Sequence, residues 1–297
     1  MRGYRATVGA YYLWQVAPHV KYMKKLIRTV DEARGILQVT TVDERWYVRS
    51  VTGDITGLPQ YLYVPSVTWI CGFYPKGIEF YKWLANKGWD ESQAIKNAAG
   101  DKGSKVHYAI TDLLAGKEVK MDAKYKNPST EQDEELSLEE WECLVSFANW
   151  FEKTKPEIIV NETVVWNDEY GYAGTIDFVC KIGEEYYIVD FKTGQNVWPE
   201  YELQVSAYKH AHYDKSEVQL PEDVDYKLAI LQIGYKRNKA GWKFTEVEDK
   251  FDLFLAARQI WQHENPTTKP QQKDYPLSLQ VTTPVPEGDT AEVTPNK

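Results

Sequence analysis

Between Pro18 and Ala33 apolar residues recur three and four apart, at Val20, Met23, Leu26, Ile27 and Val30, with lysine and arginine between them. That spacing predicts a helix. Val39–Val51 predicts one or two strands, and Tyr61–Cys71 reads as an extended, aromatic and β-branched segment interrupted by Pro65. Helical spacing returns over Phe80–Gly100. A short helix is predicted over Gly103–Ala115, opened by Asp101 or Ser104 as a cap and closed by Gly116. His107, Ile110 and Leu114 share one face of it. Lys117–Thr130 is polar and loop-like. Leu136–Lys153 is amphipathic, capped by Ser137, with Trp141, Leu144, Val145, Ala148 and Phe151 on the inner face.

From Pro156 the period shortens to that of strands: Glu157–Trp166, Tyr172–Ile182 and Tyr186–Lys192. Pro199, a good first-turn residue, opens a helix to about Tyr213. Tyr226–Tyr235 is a further strand and Phe251–His263 a closing helix. Helix, three strands, helix, strand is the order of an α/β domain with a mixed sheet flanked by helices. Residues 1–60 are expected as an N-terminal helix-and-strand extension and residues 61–264 as the main domain. Residues 265–297 hold six of the 14 prolines and are expected as a disordered tail.

Composition bounds the function without choosing it. There is no run of 18 apolar residues to span a membrane, and Met1–Val20 lacks the apolar core of a signal peptide, so a cytoplasmic protein is expected. Cys71, Cys143 and Cys180 are dispersed, which argues against disulfides, a zinc site or an iron–sulfur cluster. The net charge of −9 is awkward for a nucleic-acid binder. Bound divalent cations would bring positive charge of their own, and the 11 Trp and 21 Tyr include rings able to stack on unpaired bases.

Two carboxylates can be placed by counting. A two-residue turn at Gly183-Glu184 suits the type that requires glycine first, and it pairs residues whose numbers sum to 367, as 182 with 185. Asp177 then opposes Asp190, with Cβ atoms roughly 5 Å apart. Lys192, two residues on, shares the face of Asp190, while Phe191 faces the other way. Facing carboxylates repel, and a hard divalent cation removes that penalty. Two acids and an ammonium on one face suit phosphodiester hydrolysis. A surface hairpin whose clash the lysine relieves is the plain alternative, and a one-residue slip would remove the face-sharing.

Gly174-Thr175-Ile176-Asp177, Ile188-Val189-Asp190-Phe191-Lys192-Thr193-Gly194 and Gln204-x-x-x-Tyr208 resemble the signature of the PD-(D/E)xK nucleases, in their RecB-type and phage-exonuclease branch. That branch includes the mitochondrial genome-maintenance exonucleases. Pro65-Ser66-Val67-Thr68 and Gly103-Ser104-x-x-His107 resemble two upstream motifs of the same branch, so the likeness spans roughly residues 64–235. It implies a restriction-endonuclease-like core and Mg²⁺ or Mn²⁺ held by Asp177, Asp190, His107 and the Phe191 carbonyl, with Lys192 catalytic. Gln204 and Tyr208 would position the site and the nucleic-acid backbone, Glu162 matches a semi-regular acid on the preceding strand, and Ser66 and Thr68 are candidate phosphate contacts. Alone, His107 reads more readily as a packed core histidine; helix packing is the plain alternative for Gln204 and Tyr208, an exposed strand position for Glu162, and turn capping an equal alternative for Ser66 and Thr68. His210 and His212 read as ordinary. Several members carry four cysteines for an iron–sulfur cluster, mostly after the Gln/Tyr helix; none occurs after Cys180 here, so no cluster is expected.

The resemblance implies an exonuclease acting on single- or double-stranded DNA ends in recombination, repair or phage replication, in a bacterial or phage-infected cell. A recombination or single-strand-binding protein is a compatible partner. A structure-specific endonuclease and an inactive nucleic-acid-binding module on the same fold are the alternatives.

Overall fold

The computed structural model describes residues 26–41, 44–51, 60–211 and 224–271. An antiparallel meander of four strands comes first: β1 (Leu26–Asp31), β2 (Ile36–Thr40), β3 (Arg45–Val51) and β4 (Gln60–Pro65). Three helices follow, α1 (Val67–Cys71), α2 (Ile78–Lys87) and α3 (Trp89–Leu114). After them come a small hairpin, β5 (Lys124–Lys126) with β6 (Asp133–Glu135), and helix α4 (Leu138–Thr154).

The remaining elements are β7 (Glu157–Asn167), β8 (Tyr172–Ile182), β9 (Glu185–Lys192), α5 (Pro199–Lys209), β10 (Tyr226–Ile233), β11 (Trp242–Val247) and α6 (Phe251–Glu264). The five strands form one sheet in the order β11-β10-β9-β8-β7. β9 and β10 run parallel across the α5 crossover, and the other pairs are antiparallel. The fold is therefore mixed α/β, with helices on both faces of a mixed sheet.

Alternation along β9 divides the core. Tyr187, Val189 and Phe191 pack with Phe147 and Trp150 of α4 and Val106 and Ile110 of α3. Ile188 packs with Leu203 and Val205 of α5 and Phe254 of α6 on the opposite face. α4 is secured by Ser137, whose hydroxyl accepts the Glu140 N–H while the Glu140 carboxylate accepts the Ser137 N–H. This reciprocal pair satisfies two of the N–H groups that a helix start leaves open.

Several expectations need correction. Half of the helix expected over residues 18–33 lies outside the described residues, and the other half is strand β1 and a turn ending at Gly35, whose φ of +63° returns the chain to β2. Residue 60, expected to end an extension, opens β4, which pairs with β3 along its length, and residues 26–271 form one compact unit. Ser66 stops the extended segment and starts α1 by accepting the Trp69 N–H. The cap expected at residue 101 or 104 is absent, because α3 runs unbroken through Gly100 and Gly103. On α4, Val145 and Ala148 are exposed, and Cys143, Phe147 and Trp150 take the inner face. Of the expected tail, residues 265–271 carry no helix or strand, and 272–297 lie outside the described residues.

Candidate active site

The β8–β9 hairpin turns at Gly183, with φ +61°, while Glu184 keeps a negative φ, the combination that a glycine-first turn requires. Pairing follows the sum of 367 from Ile182↔Glu185 to Phe178↔Val189. There the ladder stops. Phe191 N–H donates to Asp177 Oδ2 at 2.9 Å, where a continuing ladder would offer a backbone carbonyl.

The break has a local cause. Ile176 packs on the α5 side of the sheet, yet Phe178, two residues on, packs on the α4 side. Across from Asp177, Glu162 of β7 has φ +51° and no ladder partner, between Asn161↔Phe178 and Thr163↔Ile176. Both strands thus shift their alternation by one residue at the same rung, which re-aims the side chains there. The expectation that Asp177 and Asp190 simply share a face needs correction: Asp177 is turned into the gap between β8 and β9.

Asp177 Oδ1 stands 3.2 Å from His107 Nδ1 on α3, and His107 Nε2 stands 3.1 Å from the Phe191 carbonyl oxygen. Both partners are acceptors, so the arrangement favours an imidazolium that donates from both nitrogens. Burial opposes the charge, but Asp177 outweighs it and the His107 pKa is raised. Burial likewise pulls the Asp177 carboxyl up, and His107, Lys192 and the Phe191 N–H together hold it below the usual carboxylate value.

Asp190 is 1% exposed and sits on the α5 side. Gln204 Nε2 donates to its Oδ1 at 2.7 Å, and Lys192 Nζ lies 2.5 Å from Oδ2. Lys192 is the one partner of Oδ2 among the described residues. Burial, with the charge of Asp177 adding to it, pushes the Asp190 pKa up to about 6 despite Lys192. Burial lowers the Lys192 pKa, but Asp190 and Asp177 outweigh it and the ammonium is stabilised. Lys192 also lies 4.7 Å over the Tyr201 ring and donates to Gln204 Oε1 at 3.2 Å.

Gln204 and Tyr208, four apart on α5, complete this side. Gln204 Nε2 donates to Tyr208 Oη at 2.8 Å, so the amide touches Asp190, Lys192 and Tyr208 together. Tyr208 reaches it only because position 174 has no side chain: a Cβ at Gly174 would stand 2.5 Å from Tyr208 Cε1.

Glu162 touches none of the three central residues; it accepts from Thr111, one turn along α3 from His107. Ser66 is buried at the start of α1 and is committed to capping, while Thr68 is exposed beside it. His210 stacks on Phe251 and pairs with Asp249, and His212 lies outside the described residues. Tyr201 was missed. Its three-residue spacing from Gln204 on the same helix is the signal that could have found it.

Among the described residues no three His, Cys, Asp or Glu side chains stand close enough together to enclose a metal ion. His107, whose pKa is raised, stands against Asp177, and the Lys192 ammonium stands against Asp190. The donor set nevertheless suits a hard divalent cation: two carboxylates, an imidazole nitrogen, a peptide carbonyl and, in Asp190 Oδ2, a buried oxygen whose one partner among the described residues is the Lys192 ammonium. No described helix is long and apolar enough to cross a membrane. No protein-family profile matches the chain, and no curated protein matches it in sequence.

Proposed function

We propose that the protein is a divalent-metal-dependent DNA nuclease on a restriction-endonuclease-like core, acting as an exonuclease at DNA ends in recombination, repair or phage replication. The observation that carries this reading is the meeting of Asp177, Asp190, Lys192, His107 and the Phe191 carbonyl where β8 and β9 part. The choice of ends over internal sites rests on the likeness of the motif set to RecB-type exonucleases.

Asp177, Asp190, His107 and the Phe191 carbonyl would hold Mg²⁺ or Mn²⁺, which when bound polarises a phosphate and lowers the pKa of a water. The protein's own groups do the rest. Lys192, held by Gln204 Oε1 and the Tyr201 ring, is placed to orient the attacking water or to offset charge that develops on the phosphate. Gln204 holds Lys192 through its amide oxygen and Asp190 through its amide nitrogen, and Tyr208 fixes Gln204. His107 would ligate as a neutral imidazole, since an imidazolium has no free lone pair.

The test is digestion of end-labelled linear DNA and covalently closed circles, single- and double-stranded, with Mg²⁺ or Mn²⁺. Loss of label from linear DNA with circles intact is expected. Cutting of circles would make the enzyme an endonuclease, and binding without cutting would make it an inactive module.

A further inference from the structure

β9 and β10 run parallel, so the hairpin loop that follows β10 leaves the sheet at the end where Lys192 closes β9. Lys192 is in register with Gln232 on β10, and Gln232 with Lys243 on β11. Registered neighbours point to one face of a sheet, so Lys192, Gln232 and Lys243 form a row, about 10 Å from first backbone to last.

The loop is fastened to the segment that follows Lys192. Gln195 donates from Nε2 to the Gly234 carbonyl at 2.9 Å and accepts the Lys236 N–H at 2.8 Å. Gln232 Nε2 donates to the Gly194 carbonyl at 3.0 Å, and Arg237 Nη2 donates to Asn196 Oδ1 at 2.8 Å. Within the loop, Asn238 accepts the Gly241 N–H and donates to the Trp242 carbonyl, and the Tyr235 N–H donates to the Gly241 carbonyl. Its shape is therefore set before any ligand arrives.

This ordered loop gathers like charge. Residues 234–245 include Lys236, Arg237, Lys239 and Lys243 and no acid, in a chain whose net charge is −9. All four cations are exposed. Lys236 stands 3.7 Å from Glu139, and Arg237, Lys239 and Lys243 pair with no carboxylate among the described residues. Like charges held close repel, and a bound polyanion relieves that repulsion.

We propose that the β10–β11 loop clamps the phosphate backbone of DNA beside the phosphate that is cut at Lys192. The proposal rests on the nuclease reading above and deepens it by naming a surface that holds the substrate. Three cations without carboxylate partners, spread along a loop tied to the strand of Lys192, fit a run of phosphates rather than one small anion. Residues 236–240 are exposed and include no large apolar side chain, which favours phosphates over an apolar protein face. Such contacts hold the backbone and read no sequence.

The test is anisotropy of a labelled DNA oligonucleotide with full-length protein in EDTA, which withholds the metal needed for cutting, across a salt titration. The variant is Arg237→Gln/Lys239→Gln/Lys243→Gln; glutamine keeps these exposed positions polar, and an unchanged circular dichroism melt checks the fold. A control, Lys117→Gln/Lys120→Gln/Lys124→Gln, removes the same charge from the stretch that follows α3. The loop variant is expected to bind about tenfold or more weakly and to flatten the plot of log affinity against log salt by about 2–3 units, the scale of three lost phosphate contacts. The control should keep the wild-type slope. An unchanged slope in the loop variant, or an equal drop in both variants, would overturn the clamp. So would wild type that binds polyglutamate as tightly as DNA, which would make the loop a dock for an acidic protein. Wild type that gives the expected slopes but cuts no DNA with Mg²⁺ or Mn²⁺ would remove the nuclease reading and leave the clamp standing.

Discussion

Two buried lysine–carboxylate pairs lie on opposite sides of the central sheet, and they are built differently. Lys105 of α3 pairs with Glu140 of α4 at 3.0 Å, with the two side chains 7% and 4% exposed. The other oxygen of Glu140 accepts the Ser137 N–H at 2.7 Å, so both oxygens have partners and the pair ties two helices together. Lys192 and Asp190 are two residues apart on one strand, so their contact joins no separate elements. The Asp190 carboxyl, held by Lys192 at one oxygen and by Gln204 at the other, is nevertheless pushed up to about 6 by burial and by Asp177. A buried charge that is fully partnered and bridges elements serves the fold. A buried carboxyl that resists ionisation even with both oxygens partnered marks a candidate functional site.

Exchanging the lysines should separate the two roles. Lys192→Ala is expected to lower DNA cleavage by on the order of a hundredfold or more. Mn²⁺ affinity by calorimetry should stay equal or rise, because the ammonium competes with a cation for Asp190. Undiminished cleavage would place Lys192 with Lys105 as a structural residue. Lys105→Ala should instead cost about 3–5 kcal/mol in urea unfolding, because Glu140 is left buried without its partner. Cleavage by the molecules that remain folded should be unchanged. Loss of cleavage without loss of stability would reverse the assignment.

The hairpin that carries the site was legible because its determinants are local. Gly183 sets the turn, the turn sets the register, and the sum of 367 describes every observed rung. The shift of alternation at Asp177 was not legible, since it depends on the left-handed backbone of Glu162 in another strand. In β1, Leu26, Ile27 and Val30 fit helical spacing in isolation, and only pairing with β2 selects the extended form. α3 was cut short at Gly100 and Gly103. Each glycine costs about 1 kcal/mol in a helix, and burial of Val106, Ala109 and Ile110 farther along overrides that cost. β11 escaped notice because its residues are at most half-buried and carry no clean alternation.

The metal-free protein should reveal the cluster through pH, with a smaller effect. The raised His107 pKa contributes stability below its ordinary 6.5, and this is lost as pH rises through the folded value. The lowered Asp177 pKa contributes above 3.8 and is lost as pH falls through the folded value. Asp190 acts in the opposite sense to Asp177: raised from 3.8 to about 6, it favours the fold while protonated and costs stability once ionised. Melting temperature without metal should therefore peak between about pH 4 and pH 6 and decline toward pH 8. Asp190→Asn should make that decline shallower. An identical profile for the variant would show that Asp190 does not ionise in this range.

The central claim is that Asp190 is kept buried at a cost to stability because it holds a catalytic cation. Its most direct test is cleavage of end-labelled DNA in Mn²⁺ by wild type and Asp190→Asn, with metal-free melting recorded on the same samples. Wild type is expected to cut, and the variant to lose cutting while melting at the same or a higher temperature. A variant that cuts like wild type, or one that loses cutting only because it no longer folds, would contradict the claim.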